Sequence, residues 1–121
     1  MKIETIKIEN ISVAGIHSDE VILTDVQSAL DLIMTAKYET GCRRIAINKE
    51  AITEDFFVLS TRLAGEVLQK FINYGIKVAI YGDFGGYTSK PLKDFIYECN
   101  KGKDTFFVND VEEAALKLAK A

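Results

Sequence analysis

The chain has 121 residues, 48% of them hydrophobic, and a formal net charge of −3. That length suits one domain around one core, with roughly two-thirds of the unfolded chain's surface buried on folding. The acidic balance, with both signs interspersed, speaks against general binding to nucleic acid or an anionic membrane, which need a basic face, and leaves room only for a local basic patch.

Residues 2–8 alternate, with Ile3, Thr5 and Lys7 set against Glu4, Ile6 and Ile8, and predict a first strand. Glu9-Asn10 is a tight connection to a second strand over 11–17, so the pair is expected to form an antiparallel hairpin. After the polar Ser18-Asp19-Glu20, Thr24 is a suitable N-cap with Asp25 in the first turn. The helix it opens is expected to bury Val26, Ala29, Leu30, Ile33, Met34 and Tyr38, and Gly41 ends it. Residues 43–48 (RRIAIN) predict a third strand.

The stretch Thr53–Asp83 organises the rest. Apolar residues at 56, 57, 59, 63, 64, 67, 68, 71 and 72 have the spacing of one long amphipathic helix. Thr53 would cap it, Glu54 and Asp55 would complement its dipole, Arg62 and Glu66 would pair four residues apart, and Gly75 would close it. A fourth strand follows over 76–81 and ends at Gly82-Asp83. Gly85-Gly86 marks a loop, and Thr88-Ser89-Lys90-Pro91 a helix start, with Leu92, Phe95, Ile96 and Cys99 as the buried stripe and Asn100-Lys101-Gly102 as the stop. A fifth strand over 105–108 precedes a last helix, capped by Asn109 or Asp110, with Val111, Ala114, Ala115, Leu118 and Ala119 inward.

The order β-β-α-β-α-β-α-β-α implies a single α/β domain over residues 1–121: a leading hairpin, then a mainly parallel sheet of about five strands joined by right-handed crossovers. One strand face would carry Ile45, Ile47, Ile76, Val78, Ile80, Phe106 and Val108. The other would carry Arg44, Ala46, Asn48, Lys77, Ala79, Tyr81, Thr105 and Phe107. A parallel sheet covered on both sides would be apolar on both. The helices are therefore expected mostly on one face, with the second face half-open or covered by a partner.

This order resembles the STAS fold of bacterial anti-sigma factor antagonists and transporter C-terminal domains, whose leading hairpin is followed by β-α units wound into a right-handed superhelix. The ending Asn109-Asp110-Val111-Glu112-Glu113-Ala114-Ala115-Leu116 is similar to the closing helix of those domains. The stretches ITEDFFVLSTRLAGEVLQKFINYGIKVAIYGDF and YTSKPLKDFIYECNKG resemble a small bacterial family of unknown function, which implies no known reaction. Antagonists of the STAS family carry an Asp-Ser-Ser-Gly turn after the third strand, whose serine is a phosphorylation switch. The corresponding turn here reads Glu54-Asp55-Phe56-Phe57, without a hydroxyl. Thr53, Ser60 and Thr61 lie nearby and do not match the motif.

In open α/β sheets ligands favour the carboxyl ends of the strands. Asn48, Asp83, Tyr87, Thr88, Ser89 and Lys90 are the candidate ligand-binding residues there, with the free N–H groups before Lys90 suited to an anion. The simpler reading of this loop is a turn with a helix cap, and it does not match a phosphate loop. His17 is the only candidate for a base at neutral pH, but Ser18 and Asp19 beside it on a strand cannot complete a triad, so no catalytic set is expected. With no Cys-x-x-Cys and one histidine, no metal or other cofactor is expected.

Cys42 and Cys99 are expected as free thiols in a reducing cytoplasm. The start lacks the apolar stretch of a signal peptide, and no apolar run nears the roughly 18 residues of a membrane span. A cytoplasmic, non-enzymatic regulatory module is the leading expectation. It would bind a protein partner or itself, as a homodimer, through Arg44, Arg62, Glu66, Lys77 and Tyr81, with neither nucleic acid nor membrane as partner. The alternative is a small-ligand binder or minor enzyme that uses the loop after the fourth strand.

Overall fold

The computed structural model describes residues Met1–Ala121. Strands β1 (Lys2–Ile8) and β2 (Ile11–His17) form the antiparallel hairpin, with Ile8 opposite Ile11. Glu9 turns the chain in the left-handed region (φ 57°). Strands β3 (Arg44–Asn48), β4 (Lys77–Tyr81) and β5 (Thr105–Val108) follow in parallel with β2, and the order across the sheet is simply β1-β2-β3-β4-β5.

A right-handed crossover that always steps in one direction must put its helix on one face. The three connecting helices α1 (Val26–Thr40), α2 (Leu63–Asn73) and α3 (Lys90–Lys101) accordingly share one core with Ile45, Ile47, Val78, Ile80 and Phe107. The last helix, α4 (Val111–Lys120), packs alone on the other face, where Ala114 and Leu118 meet Val13, Ala46, Ala79, Phe106 and Val108. No helix is long and apolar enough to cross a membrane.

Several sequence expectations need correction. The helix expected from Thr53 to Gly75 is broken: residues Glu54–Phe57 and Leu59–Thr61 are short 3-10 turns, and α2 begins only after Arg62, which is left-handed (φ 67°). A continuous helix would have placed Ser60 on the buried stripe. Instead Thr61 Oγ donates toward the carbonyls of Asp55 (2.7 Å) and Val58 (2.8 Å) and diverts the chain. Arg62 thereby lies outside the helix, and its expected pair with Glu66 is not among the ion pairs formed.

The cap of α1 is Asp25 rather than Thr24. Its carboxylate accepts from the Ser28 N–H while the Ser28 hydroxyl accepts from the Asp25 N–H, a reciprocal capping box. The buried face of α1 is Ala29, Leu32, Ile33 and Ala36; Met34 and Tyr38 point outward.

The register places Ala46, Ala79 and Phe106 side by side, so Phe106 and Val108 face α4 while Thr105 and Phe107 face the three-helix layer. This is the reverse of the expected assignment. A strand of four buried residues carries no alternation to read, and a shift by one residue exchanges the faces.

The second face is not left to a partner along its middle, because α4 packs against all five strands. The helix presents mainly alanines there, and alanines at 46 and 79 of the sheet let it approach closely. Arg44 donates from Nε to the Leu118 carbonyl (2.8 Å), so a residue expected to be free for a partner closes the end of α4.

Asparagine side chains finish the sheet twice. Asn48, 1% exposed, donates to the Ser18 carbonyl (2.8 Å) and accepts from the Ser18 N–H (2.9 Å), which extends the β2–β3 ladder past the strand end. Asn100 does the same on the edge of β5, accepting from the Phe107 N–H (2.7 Å) and donating to its carbonyl (3.2 Å). Asn100→Ala strands both Phe107 groups. We expect a loss of about 1–3 kcal/mol in urea unfolding, whereas an unchanged midpoint would show that water replaces the amide at no cost.

Candidate functional site

Strand order decides where a ligand could sit. A crevice at the carboxyl ends forms where successive crossovers leave in opposite directions. Here the order never reverses, so the sheet has no such switch point. The larger concavity at this end lies within the helical layer. It is a cleft of about 420 Å³ between the 3-10 segment 54–60 and the loop 86–92.

Local sequence explains both walls. Buried Phe56 and Phe57 anchor the first, with their rings edge to face at 5.0 Å. The second leaves β4 through Gly82, where a Cβ would come within 2.8 Å of the Lys49 Cβ, so only glycine fits without displacing that side chain. Asp83 then turns the chain by accepting from the Gly85 N–H (2.8 Å). Ser89 caps α3 by accepting from the Leu92 N–H (3.3 Å), with Pro91 in the first turn.

Tyr87 joins the walls. Its ring stacks on Phe57 at 5.2 Å, and Lys49 Nζ lies 4.7 Å from the ring centre. Its hydroxyl donates to both Glu54 oxygens, at 3.0 and 3.2 Å. Partial burial, followed by the Glu54 carboxylate, pushes this phenol well above its ordinary range, so it acts as a neutral donor and not as a base.

Of the expected ligand residues, Tyr87, Thr88 and Ser89 line this cleft together. Asn48 is committed to Ser18, Asp83 to its turn, and exposed Lys90 to Asp94 (2.8 Å), so these three do not converge on it. Glu54, Phe57 and Ser60 line it without having been expected as ligand residues. Their spacing also fits a continuous helix, so no local signal marked them. Glu54 is the one charged side chain in the lining, with Lys49 Nζ close by over the Tyr87 ring.

The expected partner residues do not share a surface. Lys77 Nζ donates to the Lys103 carbonyl (2.9 Å) and lies 3.7 Å from Asp104, and the Tyr81 hydroxyl donates to the Ile16 carbonyl (3.0 Å). Both residues, with Arg44, belong to the sheet, whereas exposed Arg62 and Glu66 belong to the start of α2. His17 Nε2 approaches Asp19 (3.2 Å), while the Ser18 hydroxyl donates away to the Glu20 carbonyl (2.7 Å). Cys42 is buried and Cys99 half-buried; both are free, and burial raises the Cys99 thiol above its usual range. No three His, Cys, Asp or Glu side chains are grouped to hold a metal.

A leading hairpin, a sequential parallel sheet and a cleft within one helical layer define a single-domain α/β protein. Residues 8–118 match the family model described as a domain of unknown function (DUF4180), and the chain belongs to that family. No curated protein matches it.

Raised phenol values make the fold sensitive to alkali. Tyr87 and Tyr81 hold their protons more tightly when folded than when unfolded. Between the two values the native state binds more protons, so stability falls as pH rises above about 10. Tyr87→Phe should flatten that decline and remove the last-ionising tyrosine from an ultraviolet titration. Loss of a phenol that ionises in the ordinary range, with the late step retained, would refute the latch to Glu54.

Proposed function

We propose that this protein is a STAS-like regulatory module that acts by docking a protein partner on the outward face of α1. One observation carries the reading. Met34 and Tyr38 sit one turn apart on the side of α1 opposite its core residues, 45% and 91% exposed. A tyrosine supplies large contact area at low entropic cost, which makes such a pair a suitable anchor. The sequential β-α order after a hairpin is the arrangement that the STAS resemblance implies, and it supports the same reading. Glu66, exposed on the neighbouring α2, and Arg62, exposed just before it, extend the candidate surface.

The test compares affinity capture from the native lysate by the unaltered chain and by a Met34→Ser/Tyr38→Ser double variant. Stability should change by less than about 0.5 kcal/mol per site. A stoichiometric protein should be lost from the variant's eluate, with binding at least about tenfold weaker when the pair is reconstituted. Identical eluates overturn the reading.

The Glu54–Tyr87 cleft supports a second reading, a binding site for a small neutral or cationic metabolite. A compound that raises the melting temperature of the native chain but not of Glu54→Gln favours it. An equal rise in both sinks it.

A further inference from the structure

We propose that the groove between the C-terminal ends of α3 and α4 binds a compact anion carrying two or more phosphate groups. The groove encloses about 530 Å³, within the range of ligand-sized cavities. Lys101 and Lys103 form one side and Lys117 and Lys120 the other, with Phe106 of β5 at the floor and no acidic side chain in the lining. In a chain of net charge −3, this is a local reversal of sign.

Lysines near helix ends have an ordinary explanation, since they complement the negative end of the dipole. The charge count decides against that as the whole account. Two helix ends contribute together about one negative charge and Glu98 beside Lys101 another, against four lysines, which leaves an excess of about two positive charges. The end of α4 is moreover already served by Arg44 on the Leu118 carbonyl. Lys103, Lys117 and Lys120 take part in none of the ion pairs formed, and Lys101 meets only Glu98, at 3.7 Å, with both side chains more than half exposed. The nearby carboxylate of Asp104 is engaged by Lys77.

The density of charge selects the ligand. No arginine lines the groove, so recognition rests on four ammonium point charges rather than on a planar fork. Such a cluster suits a compact anion of several charges, and lysine holds phosphate in this point-charge manner. Lys117 lies over the Phe106 ring (5.7 Å) and Lys101 over that of Tyr97 (4.3 Å), so two of the four stems rest on aromatic surface.

The full chain is titrated by calorimetry with pyrophosphate and tripolyphosphate, in chelator and about 0.15 M salt. We expect saturable binding that weakens as salt rises. Lys103→Gln/Lys117→Gln/Lys120→Gln should weaken it at least about tenfold. Lys2→Gln/Lys37→Gln/Lys93→Gln, which removes the same charge elsewhere, should leave it unchanged. All six lysines are exposed, so neither variant disturbs the core.

Phosphatidylcholine vesicles doped with a phosphoinositide bisphosphate distinguish the source. Sedimentation competed by tripolyphosphate supports a lipid headgroup, and tripolyphosphate binding without sedimentation supports a soluble ligand. Absence of saturable heat with either phosphate, equal weakening in both variants, or citrate binding as tightly as tripolyphosphate each overturns the assignment.

Discussion

Each β-α-β step in this chain turns with the same hand and advances the sheet in the same direction. Handedness is set by the twist of the strands, so the side on which a connecting helix packs is fixed once the next strand's position is fixed. With the order β1 to β5 unbroken, α1, α2 and α3 have no choice but to share a face. The opposite face of the sheet then faces water unless something at the end of the chain returns to cover it. That need accounts for α4, for the alanines at 46, 79, 114 and 115, and for Phe106 and Val108 pointing toward it.

The same constraint shapes the carboxyl end of the sheet. A doubly wound protein has a natural crevice there; this one does not, and its polar groups are turned to structural use. Asn48 spends both halves of its amide on Ser18, and Asp83 closes a turn. The larger concavity there arises where a helix fails to form. The turns between Glu54 and Thr61 stand away from the loop after β4, and Tyr87 bridges the gap by stacking on Phe57 and donating to Glu54. The cleft is thus a property of irregular backbone supported by aromatic packing.

Much of the architecture was legible in the sequence, because the signals were local and repeated. Alternation in residues 2–8, the glycines at 41 and 75, and the capping serine and proline at 89 and 91 each mark an element that the structure contains. What escaped was decided by tertiary context. Phe106 and Phe107 are both buried, so only the neighbouring strand tells which face each belongs to. Met34 has the composition of a core residue, yet Leu32 and Ala36 take its expected place, because α1 is rotated by its packing against the sheet. Of the cleft, Tyr87, Thr88 and Ser89 could be named from a loop and a helix start. Glu54 and Phe57 could not, because their spacing also fits a helix that Thr61 prevents.

α4 has a further meaning. A sequential β-α array is close to a one-dimensional lattice, in which each unit touches its neighbours and little else. Such lattices lose cooperativity as they fray from the ends. A helix laid across all five strands adds couplings of every range at once, linking the first hairpin to the last strand. α4 is therefore the element that ties the nearest-neighbour stack together from its first strand to its last.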